Sequence, residues 1–312
     1  MLINCVAYQE GKKLADIPVG EIGTYVRRPD CFVWVALLDA SEAELTQMQQ
    51  EFDLHPLAVE DARHGHQRPK LEEYGHTLFA VMRLIEAEKA APDAWHSGEV
   101  AVFVGLNFVL SVRSGSRQSF LGVRERCERE PELLRHGAGF VFYALMDAVV
   151  DRYFPLLDLL ETELEAIESR IFGDSGAARR NIEELYALKH RATQLRHAVA
   201  PLLEVAGKLH GGRVPAVCQL TQEYFRDIDD HLVRNSFGVM RNVTPNRAVG
   251  GSLDLWWLQG TIAVAPTVRA RQWFGRRQSV EGSAGWVLND RDGAVGPIAC
   301  VRYSPLPAVF VE

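Results

Sequence analysis

The chain of 312 residues lacks long apolar segments and clustered cysteines. The best uncharged run of its C-terminal part, Leu255–Val268, has fourteen residues and contains Gly260 and Pro266. A membrane-spanning helix needs about 17–25 mostly apolar residues. The five cysteines are scattered and form no CxxC pair, which argues against a disulfide framework or a zinc site. We therefore predict no membrane span, no secretion signal, and free, mostly buried thiols in a reducing cytoplasm.

The sequence also lacks the motifs of several enzyme classes. It contains no GxxxxGK[ST], HExxH or GxSxG, and no GxGxxG follows a strand. A formal net charge of −7 and the absence of a long Lys/Arg block give no indication of nucleic-acid binding. We predict that the chain is not an enzyme, and a hydrolase using Asp/His acid–base chemistry is only an alternative without a motif behind it.

Charge and composition change near Arg234. Residues 1–234 contain 26 Lys+Arg and 36 Asp+Glu, whereas residues 235–312 contain eight Arg, five acids and no Lys. Four of the six tryptophans lie in this tail, and the helical pattern ends where it begins. We predict an irregular tail over 235–312, with low order after about residue 240.

The first 138 residues predict an α/β (α+β) domain. Residues 2–8 and 32–38 are short, β-branched and aromatic, as is typical of strands. Ser41 followed by Glu44 predicts a capping box at the start of a helix, and "HPLAVEDA" predicts a second, short helix. A strand from about residue 76, two strands joined around Gly105–Asn107 and a helical segment over 117–136 complete the pattern.

Residues 139–234 predict the long antiparallel helices of a funnel or stalk. One continuous helix is indicated up to "GDSG", a second up to "GGRVPAV", and a third from about Cys218. The first helix carries an apolar stripe at spacings of three and four, formed by Leu145, Val149, Tyr153, Leu156, Leu160, Leu164 and Ile167. Its opposite side carries Asp158, Glu161, Glu165 and Glu168.

The segment "HPLAVEDARHGHQRPKLEEYG", His55 to Gly75, is dense in histidines, acids and bases. His64, His66 and His76 could ligate a transition metal, but the neighbouring basic side chains disfavour a cation, and we favour a solvated turn. Glu60 and Asp61 lie near the end of a short helix, where acids oppose the helix dipole. Arg68, Lys70 or a bound cation could compensate them, and a salt bridge is the favoured local interpretation.

A second acidic group lies on the predicted third helix. "YFRDIDDHL" places Asp227, Asp230 and His231 at i, i+3 and i+4, so that they share neighbouring turns of one helix. Carboxylate-bearing surfaces suit Mg²⁺, which keeps several waters and uses one or two carboxylates. A solvated acidic face is the alternative, and local chemistry favours it.

Taken together, "HPLAVEDARHGHQRPKLEEYG", "YALMDAVVDRYFPLLDLLETELEAIE" and "YFRDIDDHLVR" resemble the CorA-type magnesium and cobalt transporter family from about residue 1 to Arg234. The resemblance implies a homopentamer in the bacterial inner membrane, with a cytoplasmic α/β domain that leads into funnel helices. By motif position it also implies that Asp61 and Asp227 face each other between protomers. They would form a regulatory site for Mg²⁺, with Co²⁺ or Zn²⁺ as alternatives, whose occupancy holds the pore closed.

The tail departs from this resemblance. The family continues the stalk helix through a Gly-Met-Asn signature and two spans, and none of these is present after Arg234. We favour a reading-frame shift over a paralogue with a new tail. The predicted function is that of a magnesium/cobalt transporter homologue, mainly its cytoplasmic Mg²⁺-sensing domain, with transport by this chain alone doubtful. The alternatives are the zinc-transporting branch of the family and a soluble cation-binding module without transport activity.

Overall fold

The computed structural model describes residues 1–65, 67–88, 91–116, 119–172, 178–211, 214–234, 238–244, 247–258, 261–274, 278–289 and 295–304. The chain divides into two compact units, Met1–Val233 and Arg234–Glu312. Each unit has a β-sheet of its own.

Twelve strands are described. They are β1 (Leu2–Gln9), β2 (Lys12–Asp16), β3 (Cys31–Leu38), β4 (Lys70–Tyr74), β5 (Thr77–Glu88), β6 (Ala91–Val104), β7 (Phe108–Ser114), β8 (Gly238–Thr244), β9 (Arg247–Leu258), β10 (Thr261–Phe274), β11 (Gln278–Asn289) and β12 (Val295–Ser304).

Nine α-helices are described. They are α1 (Ile22–Val26), α2 (Glu42–Phe52), α3 (Pro56–His64), α4 (Leu121–Arg129), α5 (Pro131–Leu134), α6 (Ala138–Asp151), α7 (Phe154–Phe172), α8 (Ala178–Gly211) and α9 (Gln222–Arg234). Two short 3₁₀ helices, Val19–Glu21 and Ala216–Thr221, precede α1 and α9.

The first unit is built on a mixed sheet of seven strands in the order β2-β1-β3-β7-β6-β5-β4. β3 and β7 are parallel, with Val33 opposite Phe108, and the other neighbouring strands are antiparallel. A hydrophobic core joins one face of this sheet to α1, α2 and α3 through side chains such as Ile22, Met48 and Val59. Helix α6 contacts β5, β6 and β7, and α4 packs against α6. The predicted α/β fold is confirmed.

The start of α2 follows directly from the local sequence. The Ser41 side chain accepts a hydrogen bond from the backbone N–H of Glu44, and the Glu44 carboxylate accepts one from the backbone N–H of Ser41 at 2.8 Å. This reciprocal pair is the predicted capping box, which satisfies two backbone donors that a helix start otherwise leaves unpaired.

The helical half follows the prediction except at the start of the third helix and at one break in the first helix. The helix predicted to be continuous from residue 139 ends at Asp151, and α7 begins at Phe154. Pro155 accounts for the break, because it has no N–H to donate to the carbonyl four residues earlier but fits the first turn of a new helix. The apolar stripe is buried from Leu145 to Ile167 except for half-buried Leu164, and the side chain of Glu168 lies outside the described residues.

Helices α7 and α8 run antiparallel, as predicted. The guanidinium of Arg191 donates to Glu163, and Arg170 donates to Asn181 and Glu184, so positions later in α7 meet positions earlier in α8. Two other segments are shorter than predicted. The helical segment expected over 117–136 is split into α4 and α5, and a 3₁₀ helix occupies the predicted start of the third helix.

The second unit differs from the predicted irregular tail. Its five strands form an antiparallel sheet in the order β12-β11-β10-β9-β8. A meander needs only local hairpins between β-forming runs, so the absence of a helical stripe in the tail did not indicate the absence of regular structure. Pro266 lies within β10, where pairing with β11 passes from Val264 directly to Thr267, as expected for a residue that cannot donate to a ladder.

Among the described residues, no helix combines the length and the apolar character that are needed to cross a membrane. Cys5, Cys31, Cys127 and Cys218 are free and buried, as predicted, whereas the side chain of Cys300 lies outside the described residues.

Candidate divalent-cation site

Asp61 lies on the last turn of α3, where the structure provides a basic partner. The Nζ of Lys70, on the edge strand β4, is 2.7 Å from Oδ2 of Asp61 and 2.8 Å from Oε2 of Glu72. The side chains of Asp61 and Lys70 are 25% and 26% exposed. Of the three partners considered for Asp61, the structure places Lys70 in contact with it.

The ammonium group of Lys70 is held by these two carboxylates. Burial alone would lower the pKa of Lys70, but the hydrogen bonds and charges of Asp61 and Glu72 raise it above its ordinary value. The stabilisation from this pair is therefore fully present below the ordinary pKa of lysine. It is lost only as the pH rises through the raised pKa.

Aromatic side chains complete the surroundings of Lys70. The hydroxyl of Tyr74 donates to Oε2 of Glu72 at 3.0 Å, and the ring of Tyr74 stacks on that of His55, the N-cap of α3, at 4.4 Å. Nζ of Lys70 also lies 5.7 Å from the centre of the Phe79 ring. These contacts hold both ends of α3 against β4. Oδ1 of Asp61 has no partner among the described hydrogen bonds.

The described candidate histidines, His64 and His76, do not converge. Nδ1 of His64 lies 3.0 Å from the carbonyl of Glu60 in its own helix, and His76 is exposed in the turn between β4 and β5. His66 lies outside the described residues. No group of three or more His, Cys, Asp or Glu side chains that could hold a metal is found in the part of the chain that was searched, the described residues.

Asp227 lies on α9 and is exposed. Its charge acts on Tyr143 of α6, whose pKa is raised first by burial and then by the negative charges of Asp147 and Asp227. Asp147 is itself buried and paired with Arg126 at 2.8 Å. Asp230 and His231 lie on the backbone of α9, but their side chains are outside the described residues.

The position of α9 is set by tight packing against α6. Phe225 is fully buried, and its ring centre is 5.6 Å from that of Phe142 and 6.0 Å from that of Tyr143. A Cβ atom at Gly139 would lie 2.2 Å from the carbonyl oxygen of Val217, so only glycine allows the 3₁₀ helix before α9 to approach α6 this closely. Asp227 is therefore held on a fixed helix and exposed to solvent.

Within one chain, Asp61 and Asp227 have separate surroundings: a Lys70 pair at the sheet edge and the Tyr143 face of α6. An accessible carboxylate of either kind can ligate Mg²⁺ or accept a hydrogen bond from one of the several waters that Mg²⁺ usually keeps. Sequence reasoning missed Glu72 and Tyr74 because no motif marks them. Their alternation along β4 was a usable signal, because residues two apart on a strand share a face.

The chain matches the family described as "CorA-like Mg2+ transporter protein" over residues 30–247, a range that includes both acids. It is 31% identical over 238 residues to YfjQ of Bacillus subtilis, whose name assigns it to metal ion transport. This match covers 75% of this chain and 71% of YfjQ. It is 29% identical to the "Cobalt/magnesium transport protein CorA" of Thermotoga maritima, over 72% of this chain and 62% of the relative. The chain thus spans under two thirds of the Thermotoga protein.

The fold is similar to that of a solved structure, the soluble domain of CorA from Methanocaldococcus jannaschii. The TM-score is 0.57 at 16% identity, over 75% of this chain and 90% of that one. At this identity the likeness supports the fold, while the sequence matches carry the family assignment. The chain belongs to the CorA-like Mg²⁺ transporter family, whose members are metal-ion transporters of membranes and not enzymes.

Proposed function

We propose that this chain is the ion-sensing part of a transporter of Mg²⁺ or Co²⁺, and that Asp61 of one protomer and Asp227 of its neighbour share a hydrated Mg²⁺. The observation that carries the proposal is the family match over residues 30–247, a range that includes both acids. Ion binding and not catalysis is then the role of these carboxylates. Membrane location through the assembled transporter and assembly as a homopentamer are parts of the same proposal.

The surroundings of the two acids support a shared ion. Asp227 is exposed on a rigidly packed helix, and Asp61 offers a carboxylate with one engaged oxygen. Two facing carboxylates repel each other when no cation lies between them, so the loss of the ion would loosen the boundary between protomers. The site can therefore act as a switch that closes the assembly at high Mg²⁺ and releases it at low Mg²⁺.

The names of the relatives support Mg²⁺ and Co²⁺ as the ions. The Thermotoga relative is named for cobalt and magnesium transport, and a Saccharomyces cerevisiae relative for magnesium transport. Carboxylate ligands with retained waters suit Mg²⁺ better than Zn²⁺, which prefers nitrogen and sulfur ligands. We therefore favour magnesium and cobalt over the zinc branch.

A Mg²⁺ titration of the purified chain tests the proposal. We expect Mg²⁺ to raise the midpoint of thermal unfolding and the mass measured by light scattering, and the variants Asp61→Asn and Asp227→Asn to lose both responses. Asp16→Asn is the matched control, because Asp16 also pairs with a lysine, Lys13, at 2.7 Å but lies on the edge strand β2. The proposal fails if all three variants respond to Mg²⁺ as the unmodified chain does.

Lys70 should compete with the ion for Asp61. Two unit charges about 4 Å apart interact by roughly 1 kcal/mol in water, and 1.4 kcal/mol corresponds to a factor of ten in affinity. We therefore expect Lys70→Gln to bind Mg²⁺ about fivefold more tightly in a calorimetric titration, with Lys13→Gln unchanged. Weaker binding by Lys70→Gln would show that Lys70 positions Asp61 for the ion instead of opposing it.

A further inference from the structure

A small cavity lies away from both acids, between the sheet and the first turn of α4. It has a volume of about 40 Å³, and its polar lining comes from Asn4 of β1, Trp34 of β3, Ser111 and Arg113 of β7, Ser119, and Arg124 of α4. Trp34 and Arg113 belong to the neighbouring parallel strands β3 and β7. In this pairing Trp34 lies opposite Val109, and Arg113 lies opposite Leu38.

The cavity is lined by N–H donors that lack acceptors. Trp34 is 2% exposed, and its indole Nε1 has no hydrogen-bond partner among the described residues. The same holds for the buried atoms Nη1 of Arg113 and Nδ2 of Asn4. The hydroxyl of Ser111 already donates to the carbonyl of Val35 at 3.3 Å. Buried donors are normally paired, so this lining calls for an acceptor inside the cavity.

Positive charge gathers around the same cavity. Arg113 lies 6.0 Å and Arg152 4.4 Å from the centre of the Phe120 ring, and Phe120 lines the cavity. Arg152 also donates to the carbonyl of Ser119 at 2.7 Å. Arg124 is the third arginine, and its Nε lies 3.4 Å from Oε1 of Glu128.

The acids nearby do not compensate Arg113 fully. Burial lowers the pKa of Arg113 by more than the charges of Glu86 and Asp39 raise it. Glu86 accepts a hydrogen bond from the hydroxyl of Ser116, and Asp39 accepts one from the backbone N–H of Gly115 at 3.0 Å. Burial, and then the charge of Arg113, lower the pKa of Arg152. An anion placed between these guanidinium groups would stabilise both.

We propose that this cavity binds a phosphate group, with Arg113 supplying the charge and Trp34 and Asn4 supplying neutral N–H donors. Its volume of about 40 Å³ exceeds what one water needs, roughly 10–15 Å³ by the same measure. It is far below the roughly 300–1,000 Å³ of a pocket for a drug-sized ligand. The occupant is therefore inorganic phosphate or the terminal phosphate of a larger molecule. The start of α4, through Phe120 and Leu121, adds the positive end of a helix dipole.

The indole N–H of Trp34 gives a direct readout in the full-length chain. Its ¹H–¹⁵N signal is assigned as the one that is missing in Trp34→Phe. We expect sodium phosphate at pH 7 to shift this signal in a saturable way. Sodium chloride at the same ionic strength should not reproduce the shift. Adenosine triphosphate added in place of phosphate distinguishes the two sources of the group. Tighter binding of the nucleotide assigns the site to a terminal phosphate, and equal or weaker binding assigns it to the free ion.

Variants separate this site from general charge effects. Arg113→Gln should weaken phosphate binding at least tenfold, and Arg135→Gln, at an exposed arginine of the same unit, should leave it unchanged. Trp34→Phe keeps the ring but removes one donor and should weaken binding a few-fold, measured by calorimetry. The proposal is overturned if the unmodified chain shows no saturable shift, if chloride shifts the signal equally, or if Arg135→Gln weakens binding as much as Arg113→Gln.

Discussion

Replacement of Phe225 by alanine is expected to lower the free energy of unfolding by about 3–5 kcal/mol, the usual cost of deleting a large buried aromatic side chain. Phe225 is fully buried, and its ring contacts those of Phe142 and Tyr143 on α6. Because the backbone is held closely at Gly139, the neighbouring helices have little freedom to collapse into the resulting cavity.

Urea denaturation followed by circular dichroism measures this loss. Leu220→Ala is the control: Leu220 precedes the same helix but is 72% exposed, and its replacement should change the free energy of unfolding by less than about 0.5 kcal/mol. A loss at Phe225 no larger than that at Leu220 would show that α9 is not held against α6. In the proposed function Phe225→Ala should also abolish the response to Mg²⁺, since Asp227 depends on the position of α9.

Arg191→Met is expected to cost about 3 kcal/mol. The Arg191 side chain is 7% exposed and makes two hydrogen bonds to the carboxylate of Glu163, which join α8 to α7. Removing one partner of a buried pair leaves the other charge uncompensated, at a typical cost of about 3–5 kcal/mol. Glu163 is 23% exposed, so partial solvation places the expected cost at the lower end.

Two further variants test this explanation by urea denaturation. Arg180→Met removes a surface arginine of the same helix that pairs with Glu184 at 2.9 Å and is 78% exposed, so we expect a change below about 1 kcal/mol. Adding Glu163→Gln to Arg191→Met removes the isolated charge and should recover a large part of the loss. If the double variant is no more stable than Arg191→Met, lost packing of the arginine stem explains the cost instead.

Features that depend on a few adjacent residues were predicted well. The capping box at Ser41 and Glu44 is a local pattern, and the structure confirms both of its hydrogen bonds. The burial of Leu145 in α6 and of Leu156 and Leu160 in α7 follows from helical spacing. The break before Pro155 was missed because the apolar stripe continues across it, although the missing N–H of proline was the available signal.

The partner of Asp61 shows where local reasoning stops. Arg68 and Lys70 are both near Asp61 in the sequence, and only the pairing of β4 with β5 determines that Lys70 reaches it. The cavity around Trp34 and Arg113 was not predicted either. Trp34 and Arg113 lie on strands with about seventy residues between them, and only the parallel pairing of β3 and β7 brings them together.

The proposed role of Asp61 and Asp227 rests on the sequence resemblance to the family, and neither burial nor spacing identifies these two acids among the 41 acidic residues of the chain. A site shared between protomers is invisible to reasoning on one chain, since each half lies in ordinary surface surroundings. A test of the assembled protein is therefore more direct than any further property of a single protomer.

Mixing two variants that each fail to bind Mg²⁺ tests whether the two acids act across a boundary between protomers. Asp61→Asn and Asp227→Asn chains are unfolded together, refolded as an equimolar mixture, and titrated with Mg²⁺ by calorimetry. If the two acids act across a boundary between protomers, the mixture regains binding that neither variant shows alone, because some boundaries pair an intact Asp61 with an intact Asp227. Asp61→Asn mixed with the double variant should stay inactive. A mixture as inactive as its two components, although it assembles, would contradict the shared site.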